Sequence, residues 1–151
     1  MPLNFTENTI LSGKQGWELT QRGEDWPSTP EGEAAQAREV ERFYTMLYSH
    51  PAVAAITWWD FSDRAAWQRA PAGFLRKDMS PKPAYEVLHR LIKEKWWTRT
   101  TVRTDAQGKA AFRGTVGQYR IAVTAAGRTA EPQTLELRRG PANQITVRTS
   151  R

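Results

Sequence analysis

Apolar and polar residues alternate through Leu3-Asn4-Phe5-Thr6-Glu7-Asn8-Thr9-Ile10, the period of a strand with one buried face. Ser12-Gly13 breaks that pattern. Residues 13–29 are polar and hold Trp17, Trp26 and Pro27, so they read as a long loop of the kind that tends to carry function. From Thr29-Pro30-Glu31 the period lengthens. These residues supply a capping hydroxyl, a proline at the first helical position and an acid in the positive first turn. Val40, Phe43, Tyr44, Leu47 and Tyr48 then share one helical face, and Pro51 predicts a stop near Ser49-His50. Ala52 to Trp59 is a second strand, and residues 60–79 form a second long loop with Trp67, Pro71, Gly73 and Lys77. Ser80-Pro81 predicts the start of another helix, with Ala84, Tyr85, Leu88, Leu91 and Ile92 on one face and basic residues at its negative end. Residues 1–95 thus repeat strand, loop and helix, the unit of a parallel α/β structure with its long loops after the strands.

After Trp96-Trp97 the period shortens again. Residues 100–104, 110–114, 118–123, 133–137 and 144–148 are short alternating segments. Asp105-Ala106-Gln107-Gly108, Ala126-Gly127 and Gly140-Pro141-Ala142-Asn143 supply the turns between them. The expected architecture is a small antiparallel β-sandwich over residues 98–151, following an α/β part over residues 1–97. No Ser/Gly-rich linker separates the two, so they are expected to pack together with Trp96 and Trp97 at the join.

The richest stretch chemically is Ala54-Ala55-Ile56-Thr57-Trp58-Trp59-Asp60-Phe61-Ser62-Asp63, followed by Trp67. A buried strand that ends in Trp and Asp suits a sugar site: the indole stacks on the C–H face of a pyranose and the carboxylate accepts from its hydroxyls. The same residues equally describe a core strand whose Trp side chains fill a hydrophobic centre. Strand alternation turns Trp58 away from Trp59, towards the helices. Trp17, Trp26, Trp96 and Trp97 are assigned to packing.

Composition narrows the chemistry. Cysteine is absent, which removes disulfides and thiolate sites, and the two His, His50 and His89, support neither a metal site nor a Ser-His-Asp triad. No cofactor or metal is expected. No apolar run approaches the ~20 residues of a membrane helix, and residues 1–5 lack the basic and apolar regions of a signal peptide. The net charge of +6 is uneven: ten Arg/Lys against three Asp/Glu fall in residues 98–151, and twelve against thirteen in residues 1–97. The basic residues stand singly between strand-like positions, so they read as a solvated β-surface and not as a nucleic-acid site.

In order along the chain, Phe5-Thr6-Glu7, Ile56-Thr57-Trp58-Trp59-Asp60-Phe61-Ser62-Asp63, Trp67 and Lys82-Pro83-Ala84-Tyr85 resemble the C-terminal quarter of glycoside hydrolase family 10. Those enzymes are retaining endo-β-1,4-xylanases built on a (β/α)8 barrel. The resemblance covers about residues 2–95. It implies the last two βα units of a TIM barrel, with Glu7 as nucleophile, Trp59, Asp63 and Trp67 as substrate-binding residues, and Lys82 to Tyr85 opening the final helix. The substrate it implies is xylan or a related β-1,4-linked plant polysaccharide, handled by a parent protein outside the cytoplasm. Asp60 stands where the family usually has Gly, and Asn8-Thr9 where it commonly has Leu-Asp. Asp60 is read as a hydrogen-bonding residue at the barrel mouth or a cap of the following loop. The family's acid/base Glu lies in an Asn-Glu-Pro motif, and no such motif occurs here. Met1 before Pro2 reads as a start inside a longer frame, with the N-terminal portion of the barrel missing and the isolated chain inactive and prone to aggregate. Residues from Thr98 resemble small β-sandwich modules of the carboxypeptidase-regulatory type.

Overall fold

The computed structural model describes residues 1–14, 16–140 and 143–148. The chain divides into two compact units, Met1–Lys95 and Trp96–Arg151, so that Trp96 and Trp97 fall with the second.

In the first unit β1 (Leu3–Asn8) and β2 (Val53–Trp58) are parallel neighbours, as a βα repeat requires. Their register shifts twice, between Leu3 and Asn4 and again between Phe5 and Asn8. Phe5 faces Ile56 and Asn8 faces Trp58, which leaves Thr6 and Glu7 opposite the single residue Thr57. Such a bulge bends the strand and re-aims a side chain. Among the described residues β1 and β2 pair only with each other, so each keeps one open edge.

Between them run α1 (Trp17–Gln21), a short helix inside the segment expected as loop, and α2 (Pro30–Ser49). The start of α2 follows its sequence signals: the Thr29 side chain accepts the Gly32 amide at 3.1 Å, with Pro30 behind it. Its buried face carries Ala37, Val40, Tyr44 and Leu47. Trp58 turns towards this helix, as alternation predicts. Its indole stacks on Tyr44 with ring centroids 6.2 Å apart, meets Phe74 at 4.5 Å and donates to the Ala72 carbonyl at 3.0 Å. Burial raises the Tyr44 hydroxyl to a pKa of about 12. Trp26 is also a packing residue. It is buried with Ala70 and Ala72, and its indole N–H donates to the Lys14 carbonyl at 2.6 Å.

The second long helix begins later than Ser80-Pro81 suggests. α3 spans Pro83–Arg90 and continues as a π-helical turn over Leu91–Lys95. Ser80 and Lys82 each precede a proline, which disfavours helical backbone, and Lys82 is extended at φ −84°, ψ 161°. The Ser80 amide and hydroxyl bond Asp78 instead, and the Lys82 amide bonds the Phe74 carbonyl at 2.9 Å.

In the second unit β3 (Gly117–Ile121) and β6 (Gln133–Leu137) pair antiparallel, while β4 (Thr124–Ala125) and β5 (Arg128–Thr129) form a short hairpin. The expected five-segment sandwich is therefore only partly laddered, and residues 100–104 and 110–114 are not regular strands. The turn between those two segments does form. The Asp105 carboxylate accepts the amides of Gln107 at 2.9 Å and Lys109 at 2.8 Å, with Gly108 at φ +75°. Tyr119 anchors this unit. Its ring lies 5.5 Å from Phe112 and its hydroxyl donates to the Thr115 carbonyl at 2.6 Å. The turn Gly140-Pro141-Ala142-Asn143 lies partly outside the described residues.

Candidate active site

At the C-terminal ends of β1 and β2 the backbone of Trp59 meets that of Asn8, the residue after Glu7. The Trp59 amide donates to the Asn8 carbonyl at 2.9 Å, and the Asn8 side chain donates to the Thr57 carbonyl at 2.9 Å. Glu7 is exposed and its backbone lies in the left-handed region at φ +57°. For a residue with a Cβ this conformation costs of order 1–3 kcal/mol and clusters at functional sites. Here the bulge imposes it.

Trp59 and Trp67 are 48% and 61% exposed, and Phe61, between them in sequence, is 61% exposed. Asp60 acts as a cap, its carboxylate accepting the Trp67 amide at 3.1 Å. The turn Trp67–Arg69 that follows contains two further left-handed residues, Gln68 and Arg69, at φ +57° and +54°, a backbone region that glycine adopts more readily. Arg69 reaches across to the Gly23 carbonyl at 3.1 Å, and Lys77 pairs with Asp25 at 2.7 Å. These two contacts tie the loop after β2 to the loop after β1.

Asp63 requires a correction. Expected to face a sugar, it is 6% exposed and both oxygens are engaged inside the fold. Lys82 Nζ lies 2.6 Å from Oδ2 and 2.8 Å from Oδ1, and the Gly73 amide donates to Oδ1 at 2.8 Å. Lys82 itself is wholly buried, and its third donor reaches Ser12 Oγ at 2.9 Å. Burial pushes its pKa below the ordinary lysine value, and the hydrogen bond and charge of Asp63 oppose that shift.

A second ion pair, buried on the Glu33 side and half-exposed at Arg76, adjoins the first. Arg76 donates through Nε to Glu33 Oε1 at 2.9 Å and through its terminal nitrogen to Oε2. Ser28 donates to Glu33 at 3.0 Å, and its hydroxyl lies 2.7 Å from that of Ser12. The chain Lys82, Ser12, Ser28, Glu33, Arg76 therefore links both long loops to α2 and to the start of α3. Neither Glu33 nor Arg76 is visible in the sequence as part of a site. Glu33 merely looks like a first-turn helix acid, and that signal gives no hint of burial.

Burial opposes ionisation of Glu33. The hydrogen bonds from Arg76 and Ser28, with the charges of Arg76 and Lys82, outweigh it and hold the carboxyl below its ordinary value. A folded pKa below the unfolded one means stability that is complete above the ordinary glutamate range and is lost as pH falls through the folded value. Thermal midpoints across an acid series are expected to fall in that window, and Glu33→Gln is expected to flatten the fall while lowering the midpoint at neutral pH.

Comparison with known proteins places the chain in a family. The family described as glycosyl hydrolase family 10 matches residues 16–91, half of the chain, and the chain belongs to that family. The matched span contains Trp59, Asp63, Trp67 and Lys82, and Glu7 lies ahead of it. Xylanase 10B from Thermotoga petrophila RKU-1, solved in complex with xylobiose, superposes with a TM-score of 0.50 at 21% identity, over 63% of this chain and 28% of that one. Native xylanase 10B from Thermotoga maritima gives 0.48 at 21% identity, over 62% and 28%. A curated relative, the anti-sigma-I factor RsgI6 of Acetivibrio thermocellus, is 34% identical over 116 residues, which is 77% of this chain and 15% of that protein. The chain thus spans well under half the length of each of these relatives.

Proposed function

We propose that residues 1–95 supply the nucleophile side and the sugar platform of a retaining β-1,4-glycanase barrel acting on xylan or a related plant polysaccharide. The observation that carries this reading is the placement of Glu7, exposed on a strained bulge, one residue before Asn8, whose carbonyl accepts the Trp59 amide at the ends of two parallel strands. Family membership supports it. In this reading the Glu7 carboxylate attacks the anomeric carbon, the leaving oxygen takes a proton from a second carboxyl, and water then hydrolyses the glycosyl-enzyme bond. Trp59 and Trp67 stack on the sugar on the glycone side of the cut. Asp63 acts from beneath, through the backbone it holds.

Retention of configuration needs the second carboxyl about 5–5.5 Å from the first. The 151 residues contain no Asn-Glu-Pro to supply it. The acid/base group is accordingly assigned to the N-terminal portion of the barrel in a longer parent protein that works outside the cytoplasm. The C-terminal unit, whose inward aromatics Phe112 and Tyr119 pack on each other, serves as an accessory module.

The expected result is that the 151-residue protein alone turns over neither xylan nor an aryl β-xylobioside. Turnover by the chain alone that Glu7→Ala abolishes would overthrow the divided-site reading. Retention on xylan without any hydrolysis, unchanged when the missing barrel portion is restored, would favour a non-catalytic glycan-binding module.

A further inference from the structure

We infer that Lys82 and Asp63 are positioning residues, a buried clasp that sets the loop bearing Trp59 and Trp67 against the segment that follows Glu7. The inference rests on the sugar-site reading above for its functional consequence, but its structural content stands on geometry alone.

One ammonium group joins three pieces of chain. Lys82 belongs to the approach to α3, Asp63 lies midway between Trp59 and Trp67, and Ser12 follows the strand that carries Glu7. Lys82 Nζ reaches both Asp63 oxygens and the Ser12 hydroxyl within 2.6–2.9 Å. Each partner is fixed a second time. The Asp63 amide donates to the Leu75 carbonyl at 2.9 Å, and both the amide and the hydroxyl of Ser12 meet the Pro71 carbonyl, at 2.8 and 2.7 Å. The packing leaves no slack. A Cβ on Gly73 would stand 2.5 Å from the Ser62 backbone and 2.7 Å from the Asp63 nitrogen. A displacement at Asp63 is therefore passed to the backbone on either side of it.

Stability alone does not explain a lysine in this place. A buried ion pair roughly breaks even against a well-packed apolar pair, because desolvating two charges offsets their attraction. What the ion pair adds is direction: an ammonium has three donors, and here all three contacts run to the two loops that flank the proposed site. The Trp59 and Trp67 rings are 48% and 61% exposed. Their placement then depends on the backbone that the clasp fixes.

The test uses the full chain and the double variant Asp63→Asn/Lys82→Met, which removes both charges at nearly constant volume. Far-UV circular dichroism is expected to match wild type. Tryptic cleavage after Arg64 and Arg69, together with acrylamide quenching of tryptophan fluorescence, is expected to increase. Affinity for xylohexaose is expected to fall about tenfold, since a small misplacement of positioning groups is costly. Ser12→Ala, which keeps the ion pair and loses one arm, is expected to show the same changes in smaller degree and serves if the double variant does not fold. Cleavage and quenching equal to wild type in the folded variants would overturn the inference, whatever the sugar data show. Wild-type protein that fails to bind xylohexaose would instead count against the sugar-site reading, and the clasp would be judged on cleavage and quenching alone.

Discussion

Lys82→Met alone is expected to cost the N-terminal unit about 3–5 kcal/mol, because it leaves the Asp63 carboxylate buried without its counter-charge. Lys82 is wholly buried and Asp63 is 6% exposed, so water cannot take the place of the lost ammonium. The Gly73 amide still donates to one oxygen at 2.8 Å, which softens the loss without neutralising the charge. Adding Asp63→Asn is expected to recover most of the stability, since the double variant removes both charges of the pair. Urea midpoints of the wild type, both single variants and the double variant check this as a cycle. A recovery of less than about 1 kcal/mol would mean that the pair contributes little through its charges. Set against the 5–15 kcal/mol of an ordinary domain, the single loss is a large fraction of the total.

Gly32→Ala sets two effects of opposite sign against each other. Position 32 is in the first turn of α2, where alanine is the better helix former by roughly 1 kcal/mol. Yet a Cβ there would run into the Ser12 carbonyl oxygen and stand 2.5 Å from its carbonyl carbon, and both are backbone atoms. Ser12 cannot move aside cheaply, since the Thr29 amide, the Pro71 carbonyl and Lys82 all hold it. Overpacking of this kind costs typically 1–3 kcal/mol, so packing wins over propensity. The expected result is a thermal midpoint several degrees lower, with no gain in helicity at 222 nm. An unchanged or raised midpoint would show that the Ser12 segment yields.

Much of the α/β part was legible because its signals are local. Thr29-Pro30-Glu31 marked the start of α2, Pro51 marked its end, and the alternation of Trp58 with Trp59 sorted one ring inward and one outward. The start of α3 was misplaced by pattern alone, since Ser80-Pro81 imitates a helix start. Two prolines in three residues hold that stretch extended, and the family motif at Lys82-Pro83-Ala84-Tyr85 marks the true beginning.

The clasp was not legible. Lysine, aspartate and glutamate are rarely buried, so their presence predicts solvent, and Asp63 and Lys82 are far enough apart in sequence to hide their pairing. Only the closure of the loop over residues 60–79, which returns Gly73 to Asp63, brings them within reach. In the second unit, alternation does appear as burial. Ile145 and Val147 are half-buried, with exposed neighbours. Alternation gives the facing of a residue, but it does not guarantee that each segment finds a ladder partner.

The left-handed backbone at Glu7 has a consequence for anyone who improves this protein by selection. At φ +57° a glycine sits without strain, whereas the glutamate is held there against its preference. A library screened only for heat resistance or soluble yield will therefore favour Gly at position 7, and the carboxylate will be lost without any signal in the screen. With Glu7 as the nucleophile proposed above, selection for robustness and selection for chemistry diverge at this one residue, and a search for hardier variants has to keep it fixed.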